Sequence, residues 1–160
     1  MSRRAARKVA MQLIYERMLG GDGGGHTKTV LLGVNENDPE TAYINEAVEG
    51  VFENMQKLDD TLAANLINWT LDRLARVDLA IMRLACYEIM FRHDIPVGVS
   101  VGEAGELAHK FSTPEAVGFI TAVLSGAAKT AGRSDELKDN TYTADDETEP
   151  DAETETDTFG

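Results

Sequence analysis

The residues best placed to do chemistry lie near the start of the chain. At 100° per residue, Arg4, Lys8, Met11 and Tyr15 fall within about 60° of one another on a helical wheel, a stripe about 16 Å long. Arg3 and Arg7 flank it. Two cations followed by an aromatic suit a single-stranded nucleic acid: the cations hold phosphates, and the Tyr15 ring offers a base a stacking face. The same residues also fit a solvated basic helix end with Tyr15 packed against a neighbouring helix. Asp78, at the opening of a later helix, reads in two ways as well. It is a cap or ion-pair partner, or it accepts hydrogen bonds from base edges or from a partner chain.

No catalytic constellation accompanies these residues. The histidines His26, His93 and His109 lack a second ligand type at helical spacing, so no metal is expected. The glycine run GGDGGGHTK lacks the order of a phosphate loop and has no strand before it. The serines have no evident base, and the carboxylate pair Asp59-Asp60 sits at an expected helix junction where solvated acids are ordinary. The single cysteine, Cys86, excludes an intrachain disulfide and a CxxC site, and reads as a small buried hydrophobe. The expectation is a binding protein that is not an enzyme and carries no cofactor.

Charge divides unevenly along the 160 residues, whose net charge is −13. Residues 134–160 hold 11 acids and one base, so that segment is −10 and residues 1–133 are only −3. The near-neutral body leaves a nucleic-acid partner open despite a sequence pI of about 4.5. The opening SRRAARKVAMQLIYERML has no uninterrupted apolar core of the kind a secretory signal needs. A reduced, cytoplasmic protein with no membrane contact is expected.

The elements that must position these residues are helical. Residues 3–19 form one helix that stops at Gly20-Gly21, and residues 20–40 read as a flexible glycine-rich connection. Ile44, Ala47, Val48, Val51, Phe52 and Met55 make an apolar stripe; a further helix carries Leu62, Ala63, Leu66 and Ile67, and Trp69 is expected in the core. Val77–Arg92 is apolar on most faces and should be the central helix, ended by Pro96. Ser100-Val101-Gly102-Glu103 reads as a capping box opening a helix to Phe111. Thr113, Pro114 and Glu115 open the last helix, with Phe119, Ile120, Val123 and Leu124 on its apolar side. No run reads as a sheet, and residues 134–160 carry no core-forming pattern, so an all-α domain of six or seven helices with a disordered acidic tail is expected.

Three stretches carry a family likeness. NWTLDRLARVDLAIMRLACYEIMFRHDIPV (68–97), RRAARKVAMQLIY (3–15) and VGEAGELAHKF (101–111) resemble, in that order, segments of the bacterial transcription antitermination factor NusB family. The resemblance covers residues 3–19 and 41–131, and its specific part is the central segment. It implies an all-α, NusB-like fold of about seven helices in two packed bundles, with residues 1–133 as the RNA-binding domain. It also implies antitermination of ribosomal RNA transcription within the elongation complex. There the family protein and a small-subunit ribosomal protein, NusE, hold single-stranded boxA-type RNA.

Carried over by residue, the resemblance places the RNA surface on Arg3, Arg4, Arg7, Tyr15, Asp78 and Phe119; the helical wheel adds Lys8. Gly102 stands where the family usually has Asn, Gly118 where a base is common, and Thr121-Ala122 where it has Asn-Gly. Two alternatives stay open: a helical interaction module without RNA binding, and the module found fused to ribosomal RNA methyltransferases. The charge division yields a first prediction: removing residues 134–160 leaves the melting temperature unchanged. A drop of several degrees on trimming would contradict it.

Overall fold

The computed structural model describes residues 1–21 and 33–133. Residues 22–32 and 134–160 lie outside the described residues, and with them most of the glycine-rich connection and the whole acidic tail. The described residues form six α-helices: α1 (Arg3–Met18), α2 (Thr41–Glu53), α3 (Met55–Ala63), α4 (Arg76–Phe91), α5 (Val97–Phe111) and α6 (Pro114–Thr130), with a 3-10 turn at Leu71–Arg73. No strand occurs among them.

Helix α4 is the hinge of the architecture. Nearly every side chain from Leu79 to Ile89 is buried, because α4 packs against α1 and α2 on one side and α5 and α6 on the other, with α3 alongside. Two three-helix groups, α1-α2-α4 and α4-α5-α6, therefore share it. A helix apolar on one stripe would serve only one group. The exception along α4 is Arg83, which reaches back to Asp59 of α3 through two hydrogen bonds of 2.9 Å. Asp59 and Asp60 thus lie within α3, and the junction between α2 and α3 falls at Asn54 instead.

Local sequence sets the helix ends. Ser2 caps α1 by accepting from the Ala5 N–H at 3.0 Å, and Thr113 caps α6 by accepting from the Ala116 N–H at 3.2 Å, with Pro114 next. Helix α6 ends on Gly132 at φ 77°, whose N–H donates to Lys129 O while Arg133 N–H donates to Ala128 O. This is a Schellman closure that needs a left-handed residue. The Arg133 side chain then turns inward and donates to the carbonyls of Ile89 (2.7 Å) and Ile95 (3.0 Å). Gly105 serves close packing: a Cβ there would stand 3.2 Å from Thr121 Cγ2, so its absence lets α5 approach α6.

Three expectations are corrected. Ser100 and Glu103 do not box a helix start: α5 begins at Val97 behind Pro96, and both side chains point into the core. Residues 33–40, read as part of the flexible connection, are built into the fold. Val34 is buried, and the Thr41 hydroxyl donates to Asn35 O at 2.8 Å. Trp69 is 50% exposed rather than core. Asn68 just before it turns at φ 63°, and the Trp69 ring lies outside beneath the Arg73 guanidinium, 5.6 Å from the ring centroid.

Cys86 is buried, as its size and polarity suggest. Burial pushes its thiol up to about 12, so the reactive thiolate is scarce at neutral pH. Iodoacetamide at pH 8 should modify Cys86 only as fast as the chain unfolds. Labelling of the folded protein at the rate of a free thiol would show the packing of α4 to be wrong.

Candidate nucleic-acid interface

The first helix is held from inside by charge. Arg7 is 3% exposed. Its Nε donates to Glu88 Oε2 at 2.9 Å, and its Nη1 lies 3.7 Å from Glu103 Oε1. Glu88 also accepts from the Tyr43 hydroxyl and, at 2.7 Å, from the Ser100 hydroxyl. Glu103 receives Arg4 through both oxygens, at 3.2 and 2.7 Å. Side chains of α1, α2, α4 and α5 thus meet in one buried polar cluster. Burial alone would lower the Arg7 pKa, but Glu88, Tyr43 and Glu103 beside it outweigh that and hold it above its ordinary value. Burial, followed by the Glu88 carboxylate, pushes the Tyr43 hydroxyl well above its usual range, so it remains a donor.

Arg7 is therefore a core residue, which corrects its expected place on an RNA face. The buried Glu88 requires a cation, and the Arg7 side chain supplies it. Met11 of the wheel stripe is likewise buried. Arg3 lies half-buried, paired with Glu40 and stacked 4.3 Å from the Tyr43 ring centroid. Arg4 keeps a 31% exposed side chain while engaging Glu103.

What faces outward is a cleft of about 430 Å³ between α1 and α5, lined by Arg4, Lys8, Glu103, Glu106, Leu107, His109 and Lys110. The structure brings Arg4 and Lys8 together here and adds His109 and Lys110 from the last turn of α5. The wheel missed these two because it treats one helix at a time. The only sequence signal was the basic pair closing an amphipathic run. Cations in that turn also suit the carbonyl end of the α5 dipole.

Tyr15, Asp78 and Phe119 do not line this cleft. Tyr15 is half-buried and packs against the core from α1, about 10 Å beyond Lys8 along the helix. Phe119 packs in the same half-exposed manner from α6. Asp78 is the third residue of α4, and its Oδ1 is buried with no hydrogen-bond partner among the described residues. A buried acceptor left unsatisfied is costly unless something else reaches it.

A larger groove of about 720 Å³ opens between α2 and α4, lined by Glu46, Glu49 and Glu53, by Tyr87 and Phe91, and by Arg92, which pairs with Glu46. Gly50 makes this lining possible, since a Cβ there would stand 2.2 Å from the Tyr87 ring. The groove's three carboxylates outnumber the one cation that lines it, so it suits phosphates less than the α1–α5 cleft does.

Fold and cleft together define an all-helical protein whose first helix contributes cations to a cleft shared with a second helix. The family model described as the NusB family matches residues 4–129, so the chain belongs to the NusB family. The transcription antitermination protein NusB of Bacillus pumilus is 42% identical over 125 residues, covering 78% of this chain and 93% of the relative. That of Acetivibrio thermocellus is 42% identical over 132 residues, covering 81% and 90%. Among solved structures, T. maritima NusB matches with a TM-score of 0.73 at 26% identity, over 86% of this chain and 98% of that one. A crystal structure of the antitermination factors NusB and NusE in complex with dsRNA has the same fold, with a TM-score of 0.71 at 23% identity over 80% and 96%.

The buried cluster yields a stability prediction. Arg7→Ala leaves Glu88 buried without its cation, while Glu103 keeps Arg4, and should cost about 3–5 kcal/mol in urea unfolding at pH 7. Arg7→Met with Glu88→Leu should lose clearly less, because it removes the charges on both sides of the pair. Equal losses for the single and double variants would mean that the pair does not act as a unit.

Proposed function

We propose that this chain is a transcription antitermination factor that binds single-stranded boxA-type RNA of nascent ribosomal RNA transcripts. In this reading it acts in the cytoplasm, without catalysing a reaction, together with a small-subunit ribosomal protein of the NusE type in the elongation complex. The observation that carries this reading is the cleft in which Arg4, Lys8 and Lys110 stand together, with Tyr15 further along the same helix. The family supports it: relatives of 42% identity are transcription antitermination proteins, and a solved complex of the same fold pairs NusB with NusE and dsRNA. Among the described residues no helix is long and apolar enough to cross a membrane.

The placement of these residues supports the following roles. Lys8, Lys110 and the exposed edge of Arg4 take phosphates. Tyr15 stacks on a base with the half of its ring that the core leaves uncovered, and Phe119 does the same from α6. Asp78 offers its unsatisfied Oδ1 to a base edge or to the ribosomal partner. Arg3 reaches phosphates only from its half-exposed side. One observation favours the interaction-only reading: Arg3, Arg4 and Arg7 all have carboxylate partners inside the fold, which reduces the cation available to RNA. Titration of a fluorescent boxA-type RNA with and without the ribosomal protein separates the two, and no RNA affinity under either condition selects the interaction module.

Single substitutions sort the roles. Lys8→Ala should weaken all RNA sequences by a similar factor and reduce the magnitude of the salt slope by about 0.7. Arg4→Ala also releases Glu103, so Lys8 gives the cleaner reading. Tyr15→Ala should cost about 1–3 kcal/mol of RNA affinity with little change in salt slope. Tyr15→Phe should bind near normally, because it keeps the ring. Full RNA affinity in a folded Lys8→Ala/Tyr15→Ala protein would remove α1 from the RNA site.

A further inference from the structure

The family match ends at residue 129, and the strongest charge of the chain follows it. Residues 134–160 carry 11 acids and one base. We propose that this acidic segment docks in the α1–α5 cleft against Lys8, Lys110 and Arg4, and so holds RNA off that surface at low ionic strength. The inference deepens the RNA-binding reading and rests on it for its second half.

Charge selects the cleft. Arg4 and the buried Glu103 offset one another as an ion pair, which leaves Lys8 and Lys110 with Glu106 as the charges lining the solvent side of the cleft. The larger groove carries Glu46, Glu49 and Glu53 against the single cation Arg92, and so suits an acidic segment less. Carboxylates on an extended chain are spaced about 3.3–3.6 Å per residue, a scale on which they can track cations as a phosphate backbone does.

Geometry permits the contact. Arg133 fixes where the segment starts, because its guanidinium is held by the carbonyls of Ile89 and Ile95 beside the start of α5. Lys110 stands near the other end of that helix, 13 residues beyond Val97, or about 20 Å away. The 27 residues after Arg133 span up to about 90 Å, several times the distance needed. Tethered ligands act at effective concentrations of about millimolar, so a weak contact between opposite charges is enough to populate the docked state. Salt screens such a contact, with a Debye length of about 10 Å at 0.1 M and about 3 Å at 1 M.

The test uses the full chain. Carbodiimide joins an amine and a carboxylate only when they touch, and mapping the joined peptides reads docking without any RNA. We expect amide links from residues 135–157 to Lys8 and Lys110 at low salt, several-fold above those to the exposed Lys57 of α3, and lost at about 1 M salt. Links spread evenly over the lysines, or none, overturn the proposal. In parallel, a full-length variant with all tail acids changed to the corresponding amides should bind boxA-type RNA about threefold to tenfold tighter at low salt, and equally at high salt. Equal affinity at low salt overturns the competition. If neither protein binds RNA, the RNA-binding reading fails, while the cross-links alone still decide the docking.

Discussion

The structure depends on one buried ion pair, Arg7 with Glu88, and on the groups that complete it. Two ions taken out of water cost several kcal/mol each, and their attraction repays this only where geometry and further hydrogen bonds are good. Here Tyr43 and Ser100 fill the remaining acceptor sites of Glu88, and Glu103 closes the other side of Arg7 while drawing in Arg4. The net stability from such a set is small compared with an apolar equivalent. Its contribution is placement: an apolar contact tolerates sliding, whereas six polar groups from four helices meet in only one register. The cleft is a product of that register, since Glu103 ties Arg4 of α1 to α5, whose last turn carries Lys110 into the cleft that Lys8 also lines.

The same cluster explains why the basic helix is less cationic toward solvent than its composition. Of its arginines, Arg3 faces Glu40, Arg4 faces Glu103, Arg7 faces Glu88 and Arg17 faces Glu49. Much of its positive charge is used to join α1 to the rest of the fold. The two concave surfaces then differ in sign. The α1–α5 cleft carries cations, and the α2–α4 groove carries glutamates over an aromatic floor. A body that is nearly neutral in sum is thereby polarised between two faces.

Helices were legible in the sequence where apolar spacing and punctuation agree. The α4 segment, apolar on nearly every face, could only be buried on nearly every face, and Pro114 after Thr113 marked the start of α6. Long-range polar partners were not legible. Ser100 and Glu103 have the spacing of a capping box, yet their partners are Glu88 and Arg4, and periodicity holds no record of residues that distant. Arg7 looked like a surface cation for the same reason, because its carboxylates lie on α4 and α5. Trp69 failed differently: its size argued for the core, but the left-handed turn at Asn68 carries it outward. Tyr15 fits both of its readings in part, with one side of the ring on the core and the other exposed.

The sharing of α4 bears on how the chain is made. Synthesis runs from the N-terminus, and domains begin to form as their segments emerge. When residues 76–91 leave the ribosome, α1 and α2 are present to cover one flank of α4, while α5 and α6 do not yet exist. An apolar flank then stands open until the last helix is complete, which makes this interval the point at which a nascent chain is most exposed to chaperones and to aggregation. Closure comes with the final residues of the fold, when Arg133 reaches the carbonyls of Ile89 and Ile95.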